Sequence, residues 1–169
     1  MGRTAALRAY KFLCEGATGV LSGFTWPVGE WVVVAGELVP TRRGVHACRR
    51  RDLAYWLDEE LWAVDLDGET RELDRLVVAR AGRLVERIEA WTPEVADEFG
   101  RMAVERRREL PGLEEDAELW NWDPPSAAYI AAHAVGCAAR ERGDDYTPAF
   151  EAERAWQGAW LSDRLGLEA

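Results

Sequence analysis

The hydrophobic period of this chain changes once, at Thr92-Pro93, and that change sorts the folds open to it. Before it, apolar residues come in short runs separated by turn residues: 7–13, 20–25, 31–34, 44–48 and 61–66. The run 61–66 alternates Leu61, Ala63 and Asp65 against Trp62, Val64 and Leu66, the period of a strand. After it, apolar residues recur every three or four positions, as in Val95, Phe99, Met102, Ala103 and Leu110. Three cap–proline pairs open the helical stretches: Thr92-Pro93, Asp123-Pro124 and Thr147-Pro148. The Thr or Asp side chain accepts from an unpaired amide of the first turn, where proline has no amide to leave unpaired. Strands first and helices after disfavour alternating βαβ units. The expectation is an α+β fold, a mostly antiparallel sheet covered by about three C-terminal helices near 93–110, 125–141 and 148–165. Within the first half, Gly16–Gly19 reads as a turn and 52–57 as one or two helical turns. Asp67-Gly68 and Ala81-Gly82 read as hairpin turns, the first leading into 70–73, the second, a weaker signal, joining 76–79 to 84–88, with a partly helical 76–87 as the alternative.

A chain of 169 residues suits one domain. A β-rich part, 1–90, and a helical part, 91–169, are expected to share one core. With 48% hydrophobic residues the chain is not disordered. A net charge of −10 disfavours nucleic acid, whose phosphates need clustered Lys and Arg. The basic runs Arg42-Arg43 and Arg49-Arg50-Arg51 are a local anion patch or the solvated face of a short helix. No apolar run approaches 18 residues and no signal peptide is visible, so no membrane contact and a cytoplasmic location are expected. Cys14, Cys48 and Cys137 lie far apart and form no metal-ligand spacing, so neither metal nor organic cofactor is expected. Lys11 is the only lysine among 21 basic residues, and thus the one available Schiff-base amine.

Three groupings offer chemistry. The first is a pair of polar stripes on helical faces. In 149–165, Glu153, Gln157 and Arg164 fall inside an apolar arc of Phe150, Trp156, Trp160, Leu161 and Leu165. In 127–140, Tyr129, His133 and Arg140 share one face of an Ala-rich helix. Burying such groups costs several kcal/mol unless they are paired. The stripes therefore face each other across an antiparallel helix pair, either as acid–base machinery or as a salt-bridge network that sets register. Glu153 is expected to meet Arg140, Arg154 or Arg164. The second grouping is His46-x-Cys48, which a strand would turn to one face; it is a thiol–imidazole pair or a satisfied core histidine beside an inert thiol. The third is aromatic. Among nine tryptophans, Trp120 and Trp122 on an acidic loop are candidates for a pocket wall or a partner contact. The acidic run Glu114-Glu115-Asp116 with Glu118 lacks a calcium-loop pattern and reads as solvated.

Several short motifs carry a resemblance. Ala9-Tyr10-Lys11-Phe12, Gly23-Phe24 with Trp26 and Gly29, Gly44-Val45-His46-Ala47-Cys48, Leu53-x-Tyr55 and Trp62-x-Val64-x-Leu66-x-Gly68 occur in this order. Over about residues 8–70 they resemble an uncharacterised small domain of phage-encoded and actinobacterial proteins. The C-terminal Glu153-Arg154-x-Trp156-Gln157-x-x-Trp160-Leu161-x-x-Arg164-Leu165 resembles a tail found on some such proteins. The resemblance implies no activity. The segment from Gly44 to Tyr55 is also faintly similar to part of ADP-ribosyltransferases, with no companion motif.

The functional expectation is a small-molecule-binding protein, a cofactor-independent biosynthetic or tailoring enzyme that cyclises or condenses an aromatic or amine substrate. Its catalytic residues would be His46, His133 and Glu153, and its substrate contacts Tyr129, Arg140, Gln157, Arg164, Trp120 and Trp122. The alternative is a mobile-element-derived module that docks a protein partner through an acidic, Trp-bearing surface.

Overall fold

The fold is α+β in a computed structural model, which describes residues 6–111, 113 and 123–167. The chain divides into two compact units, Met1–Trp91 and Thr92–Ala169, and the division falls on the change of period. No described helix is long and apolar enough to cross a membrane.

The first unit is an antiparallel sheet. Its strands are β1 (Leu7–Leu13), β2 (Val32–Val33), β3 (Val45–Ala47), β4 (Glu60–Glu72) and β5 (Val77–Arg87). A 3-10 helix, Arg50–Tyr55, follows β3. The long β4–β5 hairpin lies at the centre, β1 pairs with β4, and both short strands pair with β5. The two edges then meet. Tyr10 and Cys48 exchange both backbone hydrogen bonds, at 2.9 and 2.7 Å, so the end of β3 joins β1 and the sheet closes on itself. Closure leaves fewer unpaired edge groups and encloses one face of every strand. That face holds Ala9, Leu13, Trp26, Val45, Ala47, Trp62, Val64, Leu66, Val77, Ala79 and Leu84.

Both expected hairpin turns lie within strands instead. Gly68, at φ +77°, marks a break in the β4–β5 register between Asp67 and Thr70. A bulge and a turn both need positive φ, so Asp-Gly suits either. Gly82 stays in register, paired with Leu66 and Val32. A Cβ there would sit 2.6 Å from Val45 Cγ1, so this glycine serves close packing and not a turn. The real connection is 73–76, held by Arg49. Its guanidinium donates to Leu73 O at 2.7 Å and to Asp74 O, and pairs with Asp52 at 2.6 Å and Glu72 at 3.1 Å. The basic run thus supplies an internal clamp at Arg49. The expected strand 20–25 is a turn and loop that keeps one isolated bridge, Thr25 to Thr18, with Leu21 wholly exposed.

Glu60 opens β4 with a buried carboxylate. It accepts from the Gly16 and Ala17 amides, both at 3.1 Å, and from Trp62 Nε1 at 2.9 Å, with Arg87 at 3.4 Å. These bonds pin a loop whose Gly16 and Ala17 both have positive φ. Desolvation alone would raise the Glu60 pKa. The bonds from Trp62, Gly16 and Ala17 and the charge of Arg87 overcome it and hold the carboxyl below its usual range.

The second unit is three helices: α1 (Pro93–Glu105), α2 (Pro124–Glu141) and α3 (Tyr146–Arg164). Thr92 caps α1 by accepting from the Val95 amide at 3.3 Å, and Asp123 caps α2 by accepting from Ser126 at 3.0 Å. The third start differs from expectation: Asp145 is the cap residue, and Thr147-Pro148 lie within the first turn. Ala128, Ala131 and Ala132 of α2 are fully buried, and the α1–α2 contact centres on Val104, Leu113 and Ala127.

Glu60→Ala should cost about 2–4 kcal/mol, because it strands two backbone amides and an indole N–H. A depressed folded pKa means this stabilisation is complete above the unfolded value near 4.3 and is lost as pH falls through the folded value. Glu60→Gln should therefore flatten the fall of Tm with acidification below about pH 4. An unchanged acid limb in a Tm-against-pH series would show that Glu60 is not the group being titrated.

Candidate functional site

The two polar stripes exist, but they do not meet as one site. On α2, residues four apart fall on one face, and Tyr129, His133 and Cys137 line up there with Arg140 beyond. Tyr146 and Phe150, from the first turns of α3, lie beside them. His133 Nδ1 is 2.9 Å from Tyr146 Oη, and Cys137 Sγ is 3.5 Å from His133 Nε2. Arg140 Nη2 reaches the same sulfur at 3.9 Å. The His133 ring stacks on Tyr129 with centroids 6.3 Å apart, and Phe150 meets Tyr129 edge-on at 5.6 Å. Tyr129, His133 and Arg140 are exposed; Cys137 and Tyr146 are partly buried.

Gly136 permits this arrangement. A Cβ there would fall inside the van der Waals envelope of the Tyr146 ring. Burial pushes the Tyr146 phenol up, and so do Tyr129 and Cys137, with Arg140 opposing them. The phenol is therefore neutral at ordinary pH and serves as a hydrogen-bond partner for the imidazole.

Glu153, Gln157 and Arg164 go elsewhere. The Glu153 carboxylate is buried and forks onto the Arg107 guanidinium, with Arg106 Nε at 3.5 Å. The expected partners Arg140, Arg154 and Arg164 are replaced by two arginines from beyond the C-terminal end of α1. Gln157, wholly buried, donates to Ala128 O at 2.9 Å and accepts from Arg154 at 2.9 Å, which ties α3 to α2. Arg164 pairs with Glu98 of α1 at 2.9 Å. These contacts hold helices together, and Glu153 is not beside His133.

His46 is partly buried on β3 between the core residues Val45 and Ala47. Its Nε2 accepts from the Thr41 amide at 2.9 Å. Burial lowers its pKa, and so does the Lys11 charge, against a raising bond from Gly44. A neutral ring whose lone pair is already engaged by backbone braces the 39–44 loop and is poorly placed as a base. Cys48 is buried, and burial with the Asp52 charge pushes its thiol up to about 12, which makes it inert. Trp120 and Trp122, and the acidic run from Glu114, lie outside the described residues.

Among the described residues, one trio of metal-ligating atoms comes together: Cys14, Asp58 and Glu59, within 4.8 Å of one another. Glu59 is already engaged by the Glu15 amide at 2.6 Å. Burial and both carboxylates push the Cys14 thiol up. None of the three cysteines is in a disulfide.

Sequence reading missed two members of the α2–α3 cluster. Cys137 stands four residues after His133, and that spacing alone could have found it. Tyr146 lay just ahead of the expected helix start, so its face could not be assigned. Comparison with protein-family models, curated proteins and solved structures finds no match for this chain.

Removing each stripe's histidine or acid should separate structure from site. Glu153→Ala should cost about 3 kcal/mol by leaving Arg106 and Arg107 without their carboxylate and a void at a buried position of α3. His133→Asn, on an exposed face, should cost less than about 1 kcal/mol. Urea unfolding of both variants reads this directly; equal losses would contradict the assignment of Glu153 to packing and His133 to the open face.

Proposed function

We propose that this chain binds small molecules and is a cofactor-independent acyl-transfer enzyme, with Cys137 as nucleophile and His133 as base. One observation carries the reading: the hydrogen-bonded line from Tyr146 Oη through both ring nitrogens of His133 to Cys137 Sγ. A nucleophilic thiol needs a base within reach, and the base needs a third group to hold its ring. With Nδ1–H donating to the phenol oxygen, Nε2 presents its lone pair to the thiol. The thiol proton passes to Nε2. The Arg140 guanidinium beside the sulfur favours the resulting thiolate. The thiolate attacks an acyl carbon, and the leaving group departs with the proton from His133. An amine or water then resolves the thioester, and an amine makes the net reaction a condensation. Tyr129 offers an exposed ring face for an aromatic acyl group.

This reading keeps His133, Tyr129 and Arg140 from the residues first singled out. It replaces Glu153 with a phenol and assigns no working role to His46.

A second reading is a protein-docking module, and a different observation favours it. Val20, Leu21, Phe24, Val28 and Val33 of the first unit all expose apolar side chains within one short stretch of chain. Surface of this kind marks interaction sites when it is contiguous.

The full chain mixed with p-nitrophenyl acetate should release about one equivalent of nitrophenolate in a rapid burst and carry an acetyl group on the Cys137 peptide. Cys137→Ser should abolish the burst, and His133→Gln should slow it roughly 100-fold. Tyr146→Phe should slow it less, since it removes only the orienting bond. Acylation at Cys14, or none at all while the protein is folded, would refute this function and leave the docking module as the better account.

A further inference from the structure

The first unit holds a second reactive group, independent of the thiol. Lys11 lies on β1 between Ala9 and Leu13, two core residues, and side chains two apart on a strand share a face. It is paired across the sheet with Trp62, also of the core. Its side chain is therefore directed to the enclosed face, and the residue remains partly buried, not sealed. Among the described residues no carboxylate lies within salt-bridge reach of Lys11. Its ammonium donates to His46 O at 2.6 Å and sits 5.5 Å from the centroid of the Trp26 ring. Phe24, exposed, meets Trp26 edge-on at 5.6 Å.

A cation in such a place has one carbonyl and one aromatic face in exchange for its water. That is poor compensation for an ammonium group. The chain meets its other needs for basic side chains with arginine, which cannot give up a proton under these conditions. The lone lysine stands at the position where losing the proton is easiest. Burial lowers its pKa to about 8. A measurable fraction of the amine is then neutral near pH 7.

From this placement we propose that Lys11 is a carbonyl-condensing site that takes small apolar aldehydes as a Schiff base. The ammonium first loses a proton to solvent. The amine lone pair attacks the aldehyde carbon, the C–N bond forms, and the carbonyl oxygen takes up a proton. A proton then moves from the nitrogen to that oxygen, which leaves as water as the nitrogen lone pair forms the C=N bond, with no change of oxidation state. The protonated imine keeps one N–H, for which the His46 carbonyl is already in place. Its positive charge keeps the Trp26 face. Trp26 and Phe24 give the aldehyde substituent apolar surroundings, which sets the class.

The test uses the full chain, benzaldehyde and cyanoborohydride, which reduces the imine to a stable benzylamine. Peptide mapping by mass spectrometry then separates Lys11 from the α-amino group. Near-ultraviolet tryptophan dichroism, followed throughout, confirms that the labelled protein is folded. Lys11 should be benzylated roughly tenfold or more faster than Nα-acetyl-lysine amide at pH 7, given an ordinary lysine value near 10.4. Its labelling rate should rise through a midpoint near pH 8. Glyoxylate, a charged aldehyde, should label Lys11 more slowly than benzaldehyde. Labelling of the α-amino group with Lys11 untouched, or a midpoint near 10, overturns the site. Faster labelling by glyoxylate overturns the apolar class.

Discussion

The first unit depends on two backbone hydrogen bonds, those that Tyr10 and Cys48 exchange across the seam between β1 and β3. Without them β1 is an edge strand and the face carrying Lys11 is open to water. With them, the face bearing Ala9, Lys11 and Leu13 turns toward Trp26, Val45 and Trp62. Alternation then fixes the rest: Ala47 takes the inner face, and His46 and Cys48 take the other. The chemistry of each follows from that geometry. Lys11 has no carboxylate within salt-bridge reach among the described residues, Cys48 is too deeply buried to ionise, and His46 is tied to the Thr41 amide.

The second unit solves a different problem, polar side chains within apolar helix faces. Gln157 is satisfied at both ends of its amide, and Glu153 takes a forked arginine. A missing partner at either place would leave a buried polar group uncompensated, so these contacts select one helix register over its neighbours. The α2 stripe is not under that constraint. Tyr129, His133 and Arg140 are in contact with water as well as with one another, so their arrangement is not required by burial. That contrast assigns the Glu153 stripe to architecture and makes the His133 stripe the better candidate for chemistry.

Much of the fold was legible. The period change separated the strands from the helices, and the caps Thr92 and Asp123 placed two helix starts. Legibility failed where a local signal has two physical outcomes. Gly68 suits a turn or a bulge, and only the pairing of β4 with β5 across the whole hairpin decides between them. Gly82 looked like a turn because the crowding by Val45 comes from a distant strand. The site divided in the same way. Tyr129 and His133 follow from helical spacing, whereas the partners of Glu153 lie in the turn that follows α1, and no spacing within α3 reveals them.

The central hairpin also sets an order of events. β4 and β5 are joined by a short turn and pair along most of their length, so their contacts are local in the chain and form at small entropic cost. The seam joins Tyr10 to Cys48 across two intervening loops and a short strand, and β1 must find β4 from far upstream. Contacts of that kind close late and slowly. Until they do, the strand bearing the only lysine is unpaired on both sides. The enclosed environment around that amine is thus the last property of the first unit to be established on folding, and the first to be given up when the seam opens.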